Sequence, residues 1–225
     1  ATTFYASHRQ QIRSKIRGVS HEVVQEADNI INENSDIASQ EALTEATSRK
    51  REEIQGILEP LDLEQQIRTL ANNDILESQI SGTAHEPEKV STSYHLNEGE
   101  NRDEARAIVI DEFIQKLYGL ASDDLKEVLR NGIEEDLREV AQRPDSALGS
   151  KLKEEAEIKA EQEGISTDQA LTSLIQENAA TVVTTAEAIF YESYKDSVIT
   201  GIDNVYKKTT ESKSSPNISA ETFIP

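Results

Sequence analysis

Residues 12–31, IRSKIRGVSHEVVQEADNII, carry apolar side chains at Ile12, Ile16, Val19, Val23, Ala27 and Ile30, with Val24 and Ile31 widening the stripe. Steps of three and four fall on one face only in an α-helix, at about 3.6 residues per turn. The spacing predicts a helix from about Ser7 to Asn32. The stripe keeps phase across Gly18, which argues for continuity, while Ser20-His21-Glu22 offers a cap for a second start at that point.

The same period continues outward. Asp36 or Ser39 is placed to cap a second helix holding Leu43, Ala46, Lys50, Ile54, Ile57 and Leu58, which Glu59-Pro60 ends. Asp62 starts a third with Leu63, Ile67 and Leu70, extending to Leu76 and Ile80 before Ser81-Gly82. Three amphipathic helices with short connections predict an antiparallel N-terminal group. From Ser81 to Glu100 the pattern stops, leaving a polar segment in which only Val90, Tyr94 and Leu96 are apolar. Loops of this length are uncommon inside compact domains, so it reads as a boundary.

Asn101 is a good N-cap, with Asp103 and Glu104 complementing the helix dipole in the first turn. Val109, Phe113, Lys116, Leu117 and Leu120 give that helix. Ser122-Asp123-Asp124-Leu125 repeats the start signal and predicts a new helix as far as Arg143-Pro144, the acid pair serving its dipole. Ala147–Glu163 has a thin stripe of Leu148, Leu152, Ala156 and Ala160, closed by Gly164. Ser166 to Gln169 matches a capping box and opens the most apolar part of the chain, from Leu171 to Tyr206, with Thr181–Thr185 and Gly201 as expected interruptions. The aromatic set Phe190, Tyr191, Tyr194 and Tyr206 on this segment reads as core.

The expected fold is therefore all-α: an elongated helical bundle in two groups joined by a long polar loop, with flexible termini. Its parts are 1–80, an N-terminal group with a basic arm; 81–100, the loop or linker; 101–208, a C-terminal group; and 209–225, a Ser-, Thr- and Lys-rich flexible tail. Hydrophobic residues are 36% and charged residues 29% of the 225, a balance suited to slender helical assemblies. Aromatics are 4%, which weakens the case for a buried organic cofactor. Without cysteine there are no disulfides, thiolate metal sites or cysteine nucleophiles. No run approaches the ~20 apolar residues of a membrane span. A soluble chain is expected, intracellular by default or within a virion.

Charge is unevenly spread. Residues 1–21 hold Arg9, Arg13, Lys15 and Arg17 and no acid, a charge of +4; the tail from Lys207 adds +1, which leaves −25 on the body from Glu22 to Tyr206. Two readings of the arm follow: its cations rest on the protein's own acidic surface, or they touch a partner subunit, an anionic surface or nucleic acid. In the tail, Phe223-Ile224 is an apolar pair that a flexible arm can dock into a neighbour's groove.

Motifs for chemistry are missing. The nine glycines form no phosphate loop. The residues three before His8, His21, His85 and His95 are Tyr5, Gly18, Gly82 and Thr92, so the Glu-x-x-His of di-iron bundles fails each time. Asn32–Asp36 imitates the opening of an EF-hand, but Ile37 stands where glycine is needed and Leu43 replaces the closing glutamate. His85, Glu86, Glu88, His95, Glu98 and Glu100 match no ligand spacing. Asn217-Ile218-Ser219 fits a glycosylation acceptor without a secretory signal to support it. No cofactor, metal or catalytic residue is assigned. The expected function is a non-enzymatic structural, assembly or adaptor protein, acting through helix–helix contacts and its terminal arms, with self-association and a capsid- or scaffold-like role as its sharper form. The alternative is an acidic nucleic-acid mimic that inhibits a nucleic-acid-binding protein; a third reading gives the arm a nucleic-acid contact.

Overall fold

The computed structural model describes residues 1–71 and 101–213, with side chains placed at 1–70 and 110–201. Among the described residues every regular element is helical: α1 (Thr2–Glu33), α2 (Ser39–Arg49), α3 (Arg51–Gln55), a 3₁₀ turn (Gly56–Leu61), α4 (Leu63–Ala71), α5 (Asn101–Gln142), α6 (Ala147–Glu163) and α7 (Thr167–Lys213). None is long and apolar enough to cross a membrane. The all-α reading holds, and the helices fall into two compact units.

The first unit joins Ala1–Leu61 to Ile114–Lys195. The α1 stripe is its backbone: Ile12, Ile16, Val23 and Ala27 are wholly buried, and α1 packs on α2, the 3₁₀ turn and α6. The helix runs unbroken through Gly18 and the Ser20-His21-Glu22 cap signal, starting five residues earlier than the stripe predicts. Hydrogen bonds link Tyr5 to Asp124 and Arg17 to Asp136, both 119 residues apart, so α1 and α5 lie side by side and parallel.

Several local signals act as read. Gly164 ends α6 in the left-handed region at φ 67°, its N–H returning to the Ala160 carbonyl at 2.9 Å. Ser166 and Gln169 form the capping box, with the Gln169 N–H donating to Ser166 Oγ at 3.3 Å and the Ser166 N–H donating to Gln169 Oε1 at 3.1 Å. Ser146 caps α6 by accepting from the Gly149 N–H at 2.9 Å. Beneath these caps Ala156, Ala160 and Ala170 make a small core with Ile165 and Leu171, as the thin stripe requires.

Four expectations are corrected. The second helix breaks at Lys50 into α2 and α3, and neither Asp36 nor Ser39 caps it; its N-cap is Ala38, without a side-chain bond. The cap comes from another helix: Glu155 of α6 accepts from Ser39 N at 2.8 Å and Ser39 Oγ at 2.5 Å, and Asn178 Nδ2 donates to the same hydroxyl at 3.0 Å. No new helix starts at Ser122, because α5 is continuous from Asn101 to Gln142 and turns Ser122 and Asp124 into the interior. Neither Thr181–Thr185 nor Gly201 interrupts α7. Thr181, Thr184 and Thr185 instead bond their hydroxyls to the carbonyls four residues back, satisfying themselves inside the helix. α7 also continues through Thr209 to Lys213; the rest of the tail, and the predicted loop at 81–100, lie outside the described residues.

The second unit joins Asp62–Phe113 to Asp196–Pro225. Asp62 adopts φ 42°, a left-handed conformation that a short polar side chain tolerates, and accepts from the Gln65 N–H at 3.4 Å to open α4. Ile67 and Ile110 are buried here, and a Cβ on Gly201 would come within 2.7 Å of Ile67 Cδ1, so the glycine admits the isoleucine.

Among the described glycines, Gly149 at the corner between α5 and α6 has the closest backbone neighbour. A Cβ at Gly149 would sit 2.1 Å from the Val140 carbonyl oxygen, while one at Gly164 meets nothing within 4 Å. Urea unfolding of Gly149→Ala is expected to show a loss of about 3 kcal/mol or more, against about 1–2 kcal/mol for Gly164→Ala, where only the left-handed backbone is penalised. Equal losses would mean that the corner relaxes.

Candidate functional site

Positions 5, 9, 13 and 17 of α1 succeed each other by four and therefore share a face. Tyr5, Arg9, Arg13 and Arg17 occupy them, and α5 presents Asp124 and Asp136 opposite. These carboxylates are twelve residues apart, roughly 18 Å along a helix, and are 2% and 4% exposed. The two helices thus meet along a polar seam of two buried acids.

At the first acid, Tyr5 Oη donates to Asp124 Oδ2 at 2.8 Å. Arg9 donates from Nε at 2.9 Å and from Nη2 at 2.9 Å, straddling both carboxylate oxygens, and Arg13 Nη1 adds a bond of 2.6 Å. Arg13 reaches Glu127 with its other nitrogen at 2.9 Å. At the second acid, Arg17 clasps Asp136 with two bonds of 2.6 Å and lies 3.3 Å from Glu135. Ser20 Oγ donates to Asp136 at 3.4 Å, and His21 Nδ1 stands 3.9 Å away. A Cβ on Gly132 would come within 2.5 Å of Ser20 Oγ, so that glycine lets the seam close.

Electrostatics follow from this geometry. Burial pushes the Asp124 carboxyl up, but the hydrogen bonds from Arg9, Tyr5 and Arg13 outweigh it and hold it below the ordinary aspartate value. The Tyr5 phenol is raised by its burial and by its bond to that carboxylate. Arg17 is raised by its hydrogen bond to Asp136, and Glu127 is lowered by its hydrogen bond from Arg13. All these groups stay ionised except the phenol, which stays neutral, near neutral pH.

The four cations predicted to form an interaction arm all lie against the chain's own acids, and three of them, Arg9, Arg13 and Arg17, share the seam. Lys15, off the seam, donates to the Gly56 carbonyl at 2.9 Å and to Glu59 at 2.7 Å. The predicted tail contacts Phe223 and Ile224 lie outside the described residues, as do His85, His95 and the acids between them. The acid pair Asp123-Asp124 has a different role from the dipole one expected: Asp124 lies mid-helix and is the centre of the seam. The sequence signal that points toward it is the i, i+4 ladder of Tyr5, Arg9, Arg13 and Arg17, which offers three cations and a phenol on one face to an acidic neighbour.

A cleft of about 220 Å³ opens beside the second acid, lined by His21, Val24, Asp28, Asp136, Glu139 and Arg143 among others. Three of its carboxylates are already engaged: Asp28 accepts from Ser146 Oγ at 2.7 Å and the Leu148 N–H at 2.8 Å, Asp136 holds Arg17, and Glu139 pairs with Arg143. The EF-hand-like turn meets a lysine, with Lys151 Nζ donating to the Ser35 carbonyl at 3.2 Å. Among the described residues no group of three or more His, Asp or Glu is placed to hold a metal ion. Phe190 and Tyr194 are buried and gather with Tyr191 around Tyr118, at ring-centroid distances of 4.7–5.7 Å, while Tyr191 itself is half exposed. No family model, curated protein or solved structure matches this chain.

Asp124→Asn is expected to cost about 2 kcal/mol, since it leaves buried donors short of charge while the arginines keep access to water. A carboxyl whose folded pKa is depressed stabilises in full above its unfolded pKa of about 3.9 and loses that contribution as pH falls through the folded value. The stability gap between wild type and Asp124→Asn, followed by urea unfolding from pH 7 downward, should therefore close only in acid below about pH 4.

Proposed function

We propose that this chain acts without catalysis, as an assembly or adaptor protein that meets other proteins through the faces of its helices. The observation that carries this reading is the fate of the basic arm. Arg9, Arg13, Lys15 and Arg17 are spent on Asp124, Glu127, Asp136 and Glu59 of the same chain. A segment that is +4 in sequence becomes structural, and the net −20 of the chain is left for the surface. Among the described residues the large apolar side chains that stay exposed are Ile158 on α6 and Tyr191 and Ile199 on α7. An exposed aromatic such as Tyr191 suits a protein contact. A capsid- or scaffold-like subunit is the sharper form of the proposal, with copies of the chain as its partners.

The same observation favours the acidic-mimic reading over direct nucleic-acid contact by the arm, because a seated arginine has less to offer a phosphate. In that reading the partner is a basic nucleic-acid-binding protein.

Light scattering after size-exclusion separates the versions. Self-assembly predicts a mass of two or more copies that falls toward the 25.0 kDa of one chain in Tyr191→Asp. A strict monomer at every soluble concentration removes the self-assembling form. Salt-sensitive binding of a purified nucleic-acid-binding protein by that monomer would then support the mimic.

A further inference from the structure

The two halves of α1 are held by different forces. Positions 18–33 bury Val19, Val23, Val24, Ala27, Ile30 and Ile31, whereas positions 2–17 bury only Tyr5, Ile12 and Ile16. The first half is secured instead by its charges: Arg9 and Arg13 on Asp124, Arg17 on Asp136, and Lys15 on the 3₁₀ turn. The arginines are 35–53% exposed at their side chains, so water and salt reach these bonds.

Gly18 stands at the junction. It is solvent-exposed, and a Cβ added there would meet nothing within 4 Å, so packing does not require glycine. Glycine inside a helix weakens it by about 1 kcal/mol relative to alanine. A helix softened between an apolar half and an ionic half has a natural place to open.

We propose that residues 2–17 form a hinged strap, latched to α5 by Asp124 and Asp136, which swings off about Gly18 when that charge is removed or screened and uncovers a basic amphipathic helix. Facing Asp124 are Tyr5, Arg9 and Arg13 from α1 and Glu127 from α5; facing Asp136 are Arg17, Ser20 and His21 from α1 and Glu135 from α5. Loss of a carboxylate charge leaves the guanidinium groups to return to water, and the buried Tyr5, Ile12 and Ile16 then hold the strap with the solvent-exposed pairs of Lys15, Arg13 and Arg17 to Glu59, Glu127 and Glu135. This inference stands whether or not the proposed assembly role is correct.

Hydrogen–deuterium exchange of the full chain, read by mass spectrometry, tests it. In the wild type, amides of residues 2–17 should exchange faster than those of 19–31, and faster still in high salt. Asp124→Asn should speed the first group at least ~10-fold while leaving 19–31 and the core of α7 unchanged, the mark of local rather than global opening. Gly18→Ala should slow the first group. Arg9→Gln with Arg13→Gln, on the exposed side of the latch, should reproduce the Asp124→Asn pattern and serves if that variant does not fold. The proposal is overturned if the two halves of α1 exchange in step in every protein, or if removing the charge speeds exchange throughout α7 as well.

Discussion

Asp124 lies between two helices, 2% exposed, with two guanidinium groups and a phenol directed at its oxygens. An isolated carboxylate in that position would be strongly unfavourable, by several kcal/mol even after relaxation. Its placement therefore constrains much else. Tyr5, Arg9 and Arg13 must follow each other on one face of α1; α5 must pass through position 124 without a break; and the helices must lie parallel, in the register that brings Arg17 to Asp136 when Tyr5 meets Asp124. A slip by one residue on either helix would rotate the donors away by about 100°. The apolar stripe of α1 tolerates small adjustments of register, since burial is not directional. The carboxylate does not, and register specification is the best-attested use of buried charge.

The same rule recurs down the first unit. Asp28 joins α1 to the start of α6 through Ser146 and Leu148, and Glu155 joins α6 to the start of α2 through Ser39. In both cases a carboxylate meets backbone N–H groups at a helix N-terminus, where the unsatisfied donors and the dipole favour negative charge. Caps supplied by a different helix link local structure to tertiary packing: neither helix start is complete until its neighbour is in place.

How far the sequence discloses this depends on whether a signal is local. The stripe of α1, the ending at Gly164 and the capping box at Ser166 and Gln169 are decided by residues within a turn or two of each other, and each is legible. Ser122-Asp123-Asp124 misleads because serine and aspartate serve helix starts and interhelical bonds alike; the choice between them is made by arginines more than a hundred residues away. Ser39 fails as a cap for the same reason, its hydroxyl being claimed by Glu155. Thr181–Thr185 looks like a β-branched interruption, yet Val182 and Val183 within it and Ala186 after it are buried, and that packing outweighs the weak propensity penalty. The arm's four cations are plain in the sequence, but the direction its arginines face is set by α5, whose acids lie more than a hundred residues away.

The charge separation along the sequence is thus resolved by folding. A basic N-terminal segment and an acidic body appear as two surfaces in one dimension, but α1 lays the first on the second. Each arginine seated on Asp124 or Asp136 removes a positive charge from the set available to a phosphate or an acidic partner, and the 43 acids of the chain outnumber its 23 lysines and arginines, so an excess of negative charge remains even where surface pairs such as Lys126–Glu187 and Arg143–Glu139 form. Net charge of this size keeps like molecules apart over a Debye length, ~8 Å at physiological salt. Under the proposed self-assembly, contacts between copies would have to come from short-range apolar anchors such as Tyr191, acting only once that repulsion is overcome, whereas a basic partner would be drawn in by the same field. Ionic strength would accordingly act in opposite directions on the two proposed kinds of association, promoting contact between copies and weakening capture of a basic protein.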